Sequence, residues 1–119
     1  MSRLERPARL ELLQGTLEVL ILRTLLRQPK HGHAIAKHIQ RTSEELLQVE
    51  TGSLYPALHR LEAKDWISAS WELSDKGKRA RYYRLTPRGR RQLVVEQSKW
   101  EMFSRAMGLI LRPADQEGQ

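Results

Sequence analysis

Gly52-Ser53-Leu54-Tyr55-Pro56-Ala57-Leu58-His59-Arg60-Leu61-Glu62 is the stretch on which the fold turns. Leu54, Leu58 and Leu61 recur at helical spacing and mark one buried stripe. The pattern predicts a helix that starts near Thr51–Ser53 and runs to about Lys64. Thr51 and Ser53 are both good N-caps, and Pro56 falls in the first turn, where a missing N–H does least harm. The opposite face carries Tyr55, His59, Arg60 and Glu62. It is polar without being uniformly charged, which suits reading base edges better than gripping phosphates.

Downstream of this helix the period changes from 3.6 to 2. Ile67, Ala69, Trp71 and Leu73 alternate with Ser68, Ser70 and Glu72, as in a half-buried strand with Trp71 on its inward face. Ser74-Asp75-Lys76-Gly77 reads as a turn, and Ala80 to Leu85 as a second strand, so the two form a β-hairpin. Tyr82 and Tyr83 point to opposite faces, one core and one surface. Thr86-Pro87 starts a last helix, with Thr as cap and Pro at the first helical position, running to about Leu111. Within it Trp100, Phe103, Met107 and Ile110 fall at 3-4-3 spacing, a short seam that wants a partner chain.

Upstream, Leu10 to Gln28 is periodic but apolar nearly all round, so such a helix must be buried nearly all round. In a domain this small one helix rarely achieves that within its own fold, so contact with a second copy of the chain is the expected remedy. Pro29 and Gly32 punctuate the chain, Ala34 to Thr42 reads as a second helix, and Ser43 to Glu50 as a turn with a short extended piece. Three helices followed by a basic hairpin is the winged helix-turn-helix plan. The fold class expected is mainly α (α+β): a winged helix-turn-helix with a two-stranded β wing and a long C-terminal dimerisation helix. The division expected is 1–86 for the DNA-binding unit, 87–111 for the dimerisation helix and 112–119 for a disordered tail.

Charge placement agrees with a polyanionic partner. The chain of 119 residues has 21 Lys and Arg against 14 Asp and Glu, a net charge of +7. Eight of the basic residues lie between Lys76 and Arg91, where there is no acid; removing them from 21 leaves 13 against 14. The whole excess therefore sits in one short segment, as in an electrostatic footprint for nucleic acid. Lys76, Lys78, Arg79 and Arg81 are the expected backbone grips, and Ser53, Tyr55, His59 and Arg60 the expected readers.

Several function classes are excluded or disfavoured. There is no cysteine, hence no disulfide, thiolate zinc site or cysteine nucleophile. His31, His33, His38 and His59 lack an obvious carboxylate to complete a metal site. Ser53 lacks the nucleophile-elbow pattern, and no Gly-rich phosphate loop exists, so no enzyme is expected and no cofactor. The longest apolar stretch, Leu17 to Leu26, contains Glu18 and Arg23 and is too short for a membrane span, so a cytoplasmic location is expected.

The Gly52–Glu62 segment resembles the signature of the PadR family of transcriptional regulators. Gly15-Thr16-Leu17, Pro29-Lys30-His31-Gly32 and Tyr82-Tyr83-Arg84-Leu85-Thr86 with Gly89 lie in order around it. His33 stands where that family usually has Tyr, and Asp65 where Gly commonly follows the third helix. The resemblance implies a homodimeric repressor on double-stranded DNA with a near-palindromic operator, often released by a small molecule. It also suggests a planar aromatic effector stacked on Trp100. The rival expectations are a winged-helix protein-interaction module without DNA binding, and a binder of single strands or RNA.

Overall fold

The structure is a computed structural model that describes residues 10–11 and 14–112. In chain order the elements are β1 (Leu10–Glu11), α1 (Gln14–Leu25), β2 (Lys30–His31), α2 (Gly32–Thr42), β3 (Leu47–Gln48), α3 (Thr51–Ala63), β4 (Ile67–Leu73), β5 (Arg79–Leu85) and α4 (Pro87–Ile110). β4 and β5 form an antiparallel hairpin, β2 adds antiparallel to the other edge of β5, and β1 pairs in parallel with β3. This is the expected mixed fold: helices α1 to α3, a hairpin wing and a long last helix.

The core explains the sequence of α1. Leu17, Ile21, Leu22 and Leu25 are buried, and Val19, Leu20 and Leu26 pack partly against the same cluster. α1 meets α2, α3, α4 and β5 of its own chain. Over Gln14–Leu25 its own chain thus covers much of that apolar surface, while Leu12 and Leu13 of the expected helix lie outside the described residues. Thr24, the buried polar residue, donates its hydroxyl to the Leu20 carbonyl at 2.8 Å. The helix is also shorter than the periodicity suggested, because Leu10 and Glu11 are drawn into the pairing with β3.

Other boundaries moved for local reasons. α2 begins at Gly32 rather than Ala34 because His31 caps it, its Nδ1 accepting from the Ala34 N–H at 3.2 Å. The N-cap of α3 is Glu50, in extended conformation and with no side-chain capping bond, so Thr51 and Ser53 lie inside the helix. Pro56 consequently sits one turn deeper than expected. In β4, Ile67 is buried and Ala69 partly so, but Trp71 is 59% exposed and Leu73 is exposed too. The hairpin runs out past the body, so its inward face loses its cover; Trp71 is a surface residue and not a core one. Tyr83 is buried and Tyr82 is not, as the alternation required. Residues 113–119, most of the expected tail, lie outside the described residues.

The junction of α3, wing and α4 is built on two special positions. Asp65 has φ 63°, and the Trp66 N–H reaches back to the Leu61 carbonyl at 3.0 Å, ending α3 in a left-handed cap. Thr86 then caps α4, accepting from the Gly89 N–H at 2.9 Å while donating to the Asp65 carbonyl at 2.7 Å. A Cβ on Gly89 would fall on the Trp66 carbonyl oxygen, so only glycine lets α4 start this close. Gly89→Ala should cost at least about 1–3 kcal/mol of stability, as in overpacked cores. Asp65→Gly should gain up to about 1 kcal/mol by relieving the left-handed backbone. Urea denaturation of the two variants checks both signs.

Candidate nucleic-acid interface

α3 divides its residues cleanly. Leu54, Ala57, Leu58 and Leu61 are buried, while Ser53, Tyr55 and His59 are exposed on the outer face. Arg60, expected among the readers, turns back to α1: its Nε donates to Glu18 at 2.7 Å, with Lys64 Nζ 3.7 Å from the same carboxylate. Glu62 in turn accepts from Arg81 Nη2 at 2.6 Å, tying the helix to the wing. Two arginines expected to face DNA are therefore engaged in holding α3 at a fixed angle. Sequence reading missed these pairings because both partners are distant in the chain and nothing local marks them.

Tyr55 is positioned by a second glycine. A Cβ on Gly32 would meet the Tyr55 hydroxyl at 2.7 Å and the ring at 3.0 Å. The His-Gly pair at the start of α2 thus leaves a slot in which the Tyr55 ring lies. His33, Tyr55, His59, Trp71 and Arg81 line an open cleft of about 470 Å³ between α3, the start of α2 and the wing. Burial raises the Tyr83 phenol, at the cleft's back wall, above its ordinary value against the opposing pull of Arg81. It stays neutral across the physiological range.

The wing holds its charges on two faces. The register places Trp71 opposite Arg81 and Leu73 opposite Arg79 on the face toward α3, and Ser70 opposite Tyr82 on the other. On that second face Arg84 bridges Glu72 at 2.6 Å and Ser70 at 2.9 Å. The Arg84 guanidinium, then the Ser70 hydroxyl, hold the Glu72 carboxyl below its usual range. At the tip, Ser74 and Lys78 close the turn, with the Ser74 N–H donating to the Lys78 carbonyl at 2.7 Å and Gly77 at φ 75°. Arg79 lies over the Trp71 ring, 5.4 Å from its centroid, so the exposed indole stiffens the arginine that projects beside it.

Lys76, Lys78 and Arg79 are exposed and make no ion pair with any described residue. Arg88, Arg90 and Arg91 continue the basic segment as exposed residues on the first turns of α4. Among the described residues no group of histidines and carboxylates could hold a metal ion, and no helix is long and apolar enough to cross a membrane.

The far half of α4 leaves the body. Gly89 and Leu93 are its buried residues. Beyond them Trp100 is 47%, Phe103 56%, Met107 40% and Ile110 74% exposed, with the Trp100 and Phe103 rings 6.0 Å apart. The seam is intact, and its own chain does not cover it.

An outward polar helix beside a cationic hairpin is the working surface of a winged helix-turn-helix protein. Residues 21–95 match the family model described as the transcriptional regulator PadR-like family, and the chain belongs to that family. It is a DNA-binding transcriptional regulator. It is similar to Transcriptional regulator Rv3488 of Mycobacterium tuberculosis, at 35% identity over 75 residues, covering 63% of this chain and 66% of that protein. Among solved structures it resembles a PadR family transcription regulator from Clostridium difficile, at 30% identity and TM-score 0.69, covering 80% and 97% of the two chains. A PadR-like regulator from Bacillus cereus superposes with TM-score 0.72 at 27% identity, over 85% and 96%.

The approach of Gly32 to Tyr55 gives a clean test of how the outer face of α3 is set. Gly32→Ala should displace the Tyr55 ring and lower the ratio of operator to random-DNA affinity about as much as Tyr55→Ala does. The double variant should be no worse than either single one, because both remove the same placement. Mobility-shift titrations of the three proteins measure this.

Proposed function

We propose that this regulator is a homodimeric repressor that holds a near-palindromic operator, one half-site per subunit. Residues 1–86 would form the DNA-binding unit and 87–111 the dimerisation helix. The observation that carries the dimer is the uncovered seam of Trp100, Phe103, Met107 and Ile110, which in a lone subunit leaves a whole apolar face in water. In such a dimer each α3 would take one half-site, with half-site centres about one helical turn apart.

Ser53, Tyr55 and His59 would meet base edges, while Lys76, Lys78 and Arg79 bind phosphates without reading sequence. Arg60 and Arg81, engaged by Glu18 and Glu62, serve to hold the helix and wing in register. A planar aromatic effector held between the two Trp100 indoles would release DNA by favouring a dimer geometry unlike the bound one; equal affinity for both would shift nothing. A protein of this kind acts in the cytoplasm, where its DNA is.

Lys78→Ala with Arg79→Ala should weaken all duplexes alike. A dimer then gives up as many as four phosphate-binding cations, so the log–log salt slope should fall by up to about 3.6 units. His59→Ala should instead lower the preference for operator over random DNA, by about 1–3 kcal/mol. Fluorescence anisotropy across a salt series separates the two effects, and a wing change that altered sequence preference would reverse the assignment.

Met107→Glu with Ile110→Glu should dissociate the dimer, because paired helices would bury charges that have no partner. Sedimentation at micromolar concentration should show a monomer for the variant and a dimer for the parent chain. Operator affinity should disappear with the dimer.

A further inference from the structure

The inner face of the wing changes character along its length. From root to tip its cross-strand pairs are Ile67–Leu85, Ala69–Tyr83, Trp71–Arg81 and Leu73–Arg79. Ile67 and Tyr83 are buried, and Ala69 and Leu85 pack against the same core. Past them the body ends, and Trp71 and Leu73 stand 59% and 69% exposed. The turn from Ser74 to Lys78 closes directly on the last pair, its Gly77 N–H donating to the Ser74 carbonyl at 2.9 Å. A single exposed leucine is ordinary on a protein surface. A leucine and an indole side by side on one uncovered sheet face, at the end of a projecting hairpin, are not.

The surroundings select what covers this pair. No acid stands on the inner face. Glu72 lies on the other face, where Arg84 holds it. Arg79 is stacked on Trp71, and Lys76 and Lys78 follow in the turn, with Asp75 as their acidic neighbour. Trp71 also lines the cleft that it shares with Tyr55 and His59 of α3. An apolar pair set in a cationic frame and continuous with α3 matches a duplex: phosphates meet the frame, and the apolar pair faces the groove between them.

We propose that Leu73 is an apolar wedge that each wing inserts into the minor groove, opening a base step and bending the duplex, with Trp71 and its stacked Arg79 as the rigid base of the wedge. This rests on the reading that α3 and the wing face DNA. With α3 in the major groove, a hairpin beside it meets the flanking backbone and the adjoining minor groove. That groove is about 6 Å wide, so side chains near the tip can reach its floor and the strands themselves cannot. Cations alone would stay at its rims. Aliphatic groups gain nothing from phosphates, and their partners in this groove are sugar edges and the faces of bases that have been unstacked.

Insertion costs unstacking energy, and the bent duplex offsets it by bringing more backbone against the protein. The stack of Arg79 on Trp71 lowers the cost further, because side chains already held in place have less freedom to lose. The wedge adds mechanics to the interface and leaves the reading of base edges to α3. Affinity then depends on how readily a base step opens.

The test uses the full chain and one duplex of arbitrary sequence, long enough for a dimer, prepared fully paired and with a central T·T mismatch. A mismatched base is less costly to unstack, so a wedge should enter there more easily. The parent protein should prefer the mismatched duplex several-fold. It should also bring dyes on the two ends closer together, as insertions that bend DNA by about 20–90° do. Leu73→Ala should lose the preference and most of the bend while keeping the parent salt slope, because no charge has changed. Leu73→Phe should keep all three, since a larger apolar side chain still wedges. Leu73 lies outside the core, and circular dichroism confirms the fold of both variants.

Equal affinity for the two duplexes, or an end-to-end distance that binding leaves unchanged, overturns the proposal, as does a bend that survives in Leu73→Ala. If Lys78→Ala with Arg79→Ala still lowers the salt slope in that case, only the wedge falls. If no wing variant changes binding to either duplex, the reading of the wing as part of the DNA face falls with it.

Discussion

α1 is apolar on nearly every side, and in a chain this short that constraint organises everything else. A helix of this kind is stable only when other elements wrap it. α2 and α3 pack against it, β5 meets it with Tyr83, and the first turns of α4 complete the cover around Leu93. The wrapping decides what is left outside. α3 can bury only its Leu54, Ala57, Leu58 and Leu61 stripe, so Ser53, Tyr55 and His59 must face out. α4 is 24 residues long and touches the body over its first turns, so its remaining length projects. A Cα radius of gyration of 17.0 Å, against about 13–14 Å for a compact chain of this length, records that projection.

The electrostatics are arranged by the same logic. Charges near the body are neutralised locally: Arg60 by Glu18, Arg81 by Glu62, Arg84 by Glu72. These pairs are partly exposed and contribute little to stability individually. Their effect is geometric: Arg60–Glu18 ties α3 to α1, Arg81–Glu62 ties α3 to the wing, and Arg84–Glu72 joins the wing's two strands. Charges without carboxylate partners sit farther out, at the wing tip and along α2. Binding a polyanion there releases counterions and needs no rearrangement of the core. Helix and tip can therefore differ in task, one polar and shaped, the other cationic and indifferent to sequence.

Much of this was legible in the chain. The leucine stripe of α3, the alternation of β4, the turn at Gly77 and the Thr86-Pro87 start of α4 are local signals, and each element formed where its signal lay. The exposed seam on α4 was legible for the same reason. What sequence could not supply was tertiary. Periodicity marked α1 as buried all round without saying how much of the burying its own chain would do. Alternation gave Trp71 a face but not the point at which the wing outruns the core. The roles of Arg60 and Arg81 depend on carboxylates 42 and 19 residues away. Gly32 and Gly89 were visible as motif residues, yet their reason, a Tyr55 ring and a Trp66 carbonyl, exists only in three dimensions.

The central claim is that α3 reads sequence on a symmetric site while the basic surfaces around it only hold the backbone. Selection of bound duplexes from a random pool measures this most directly. The account predicts enrichment of a motif with dyad symmetry, its half-site centres separated by about 10–10.5 base pairs or a multiple of that. Recovery of the pool without enrichment, or of one asymmetric motif with no spacing rule, would contradict it.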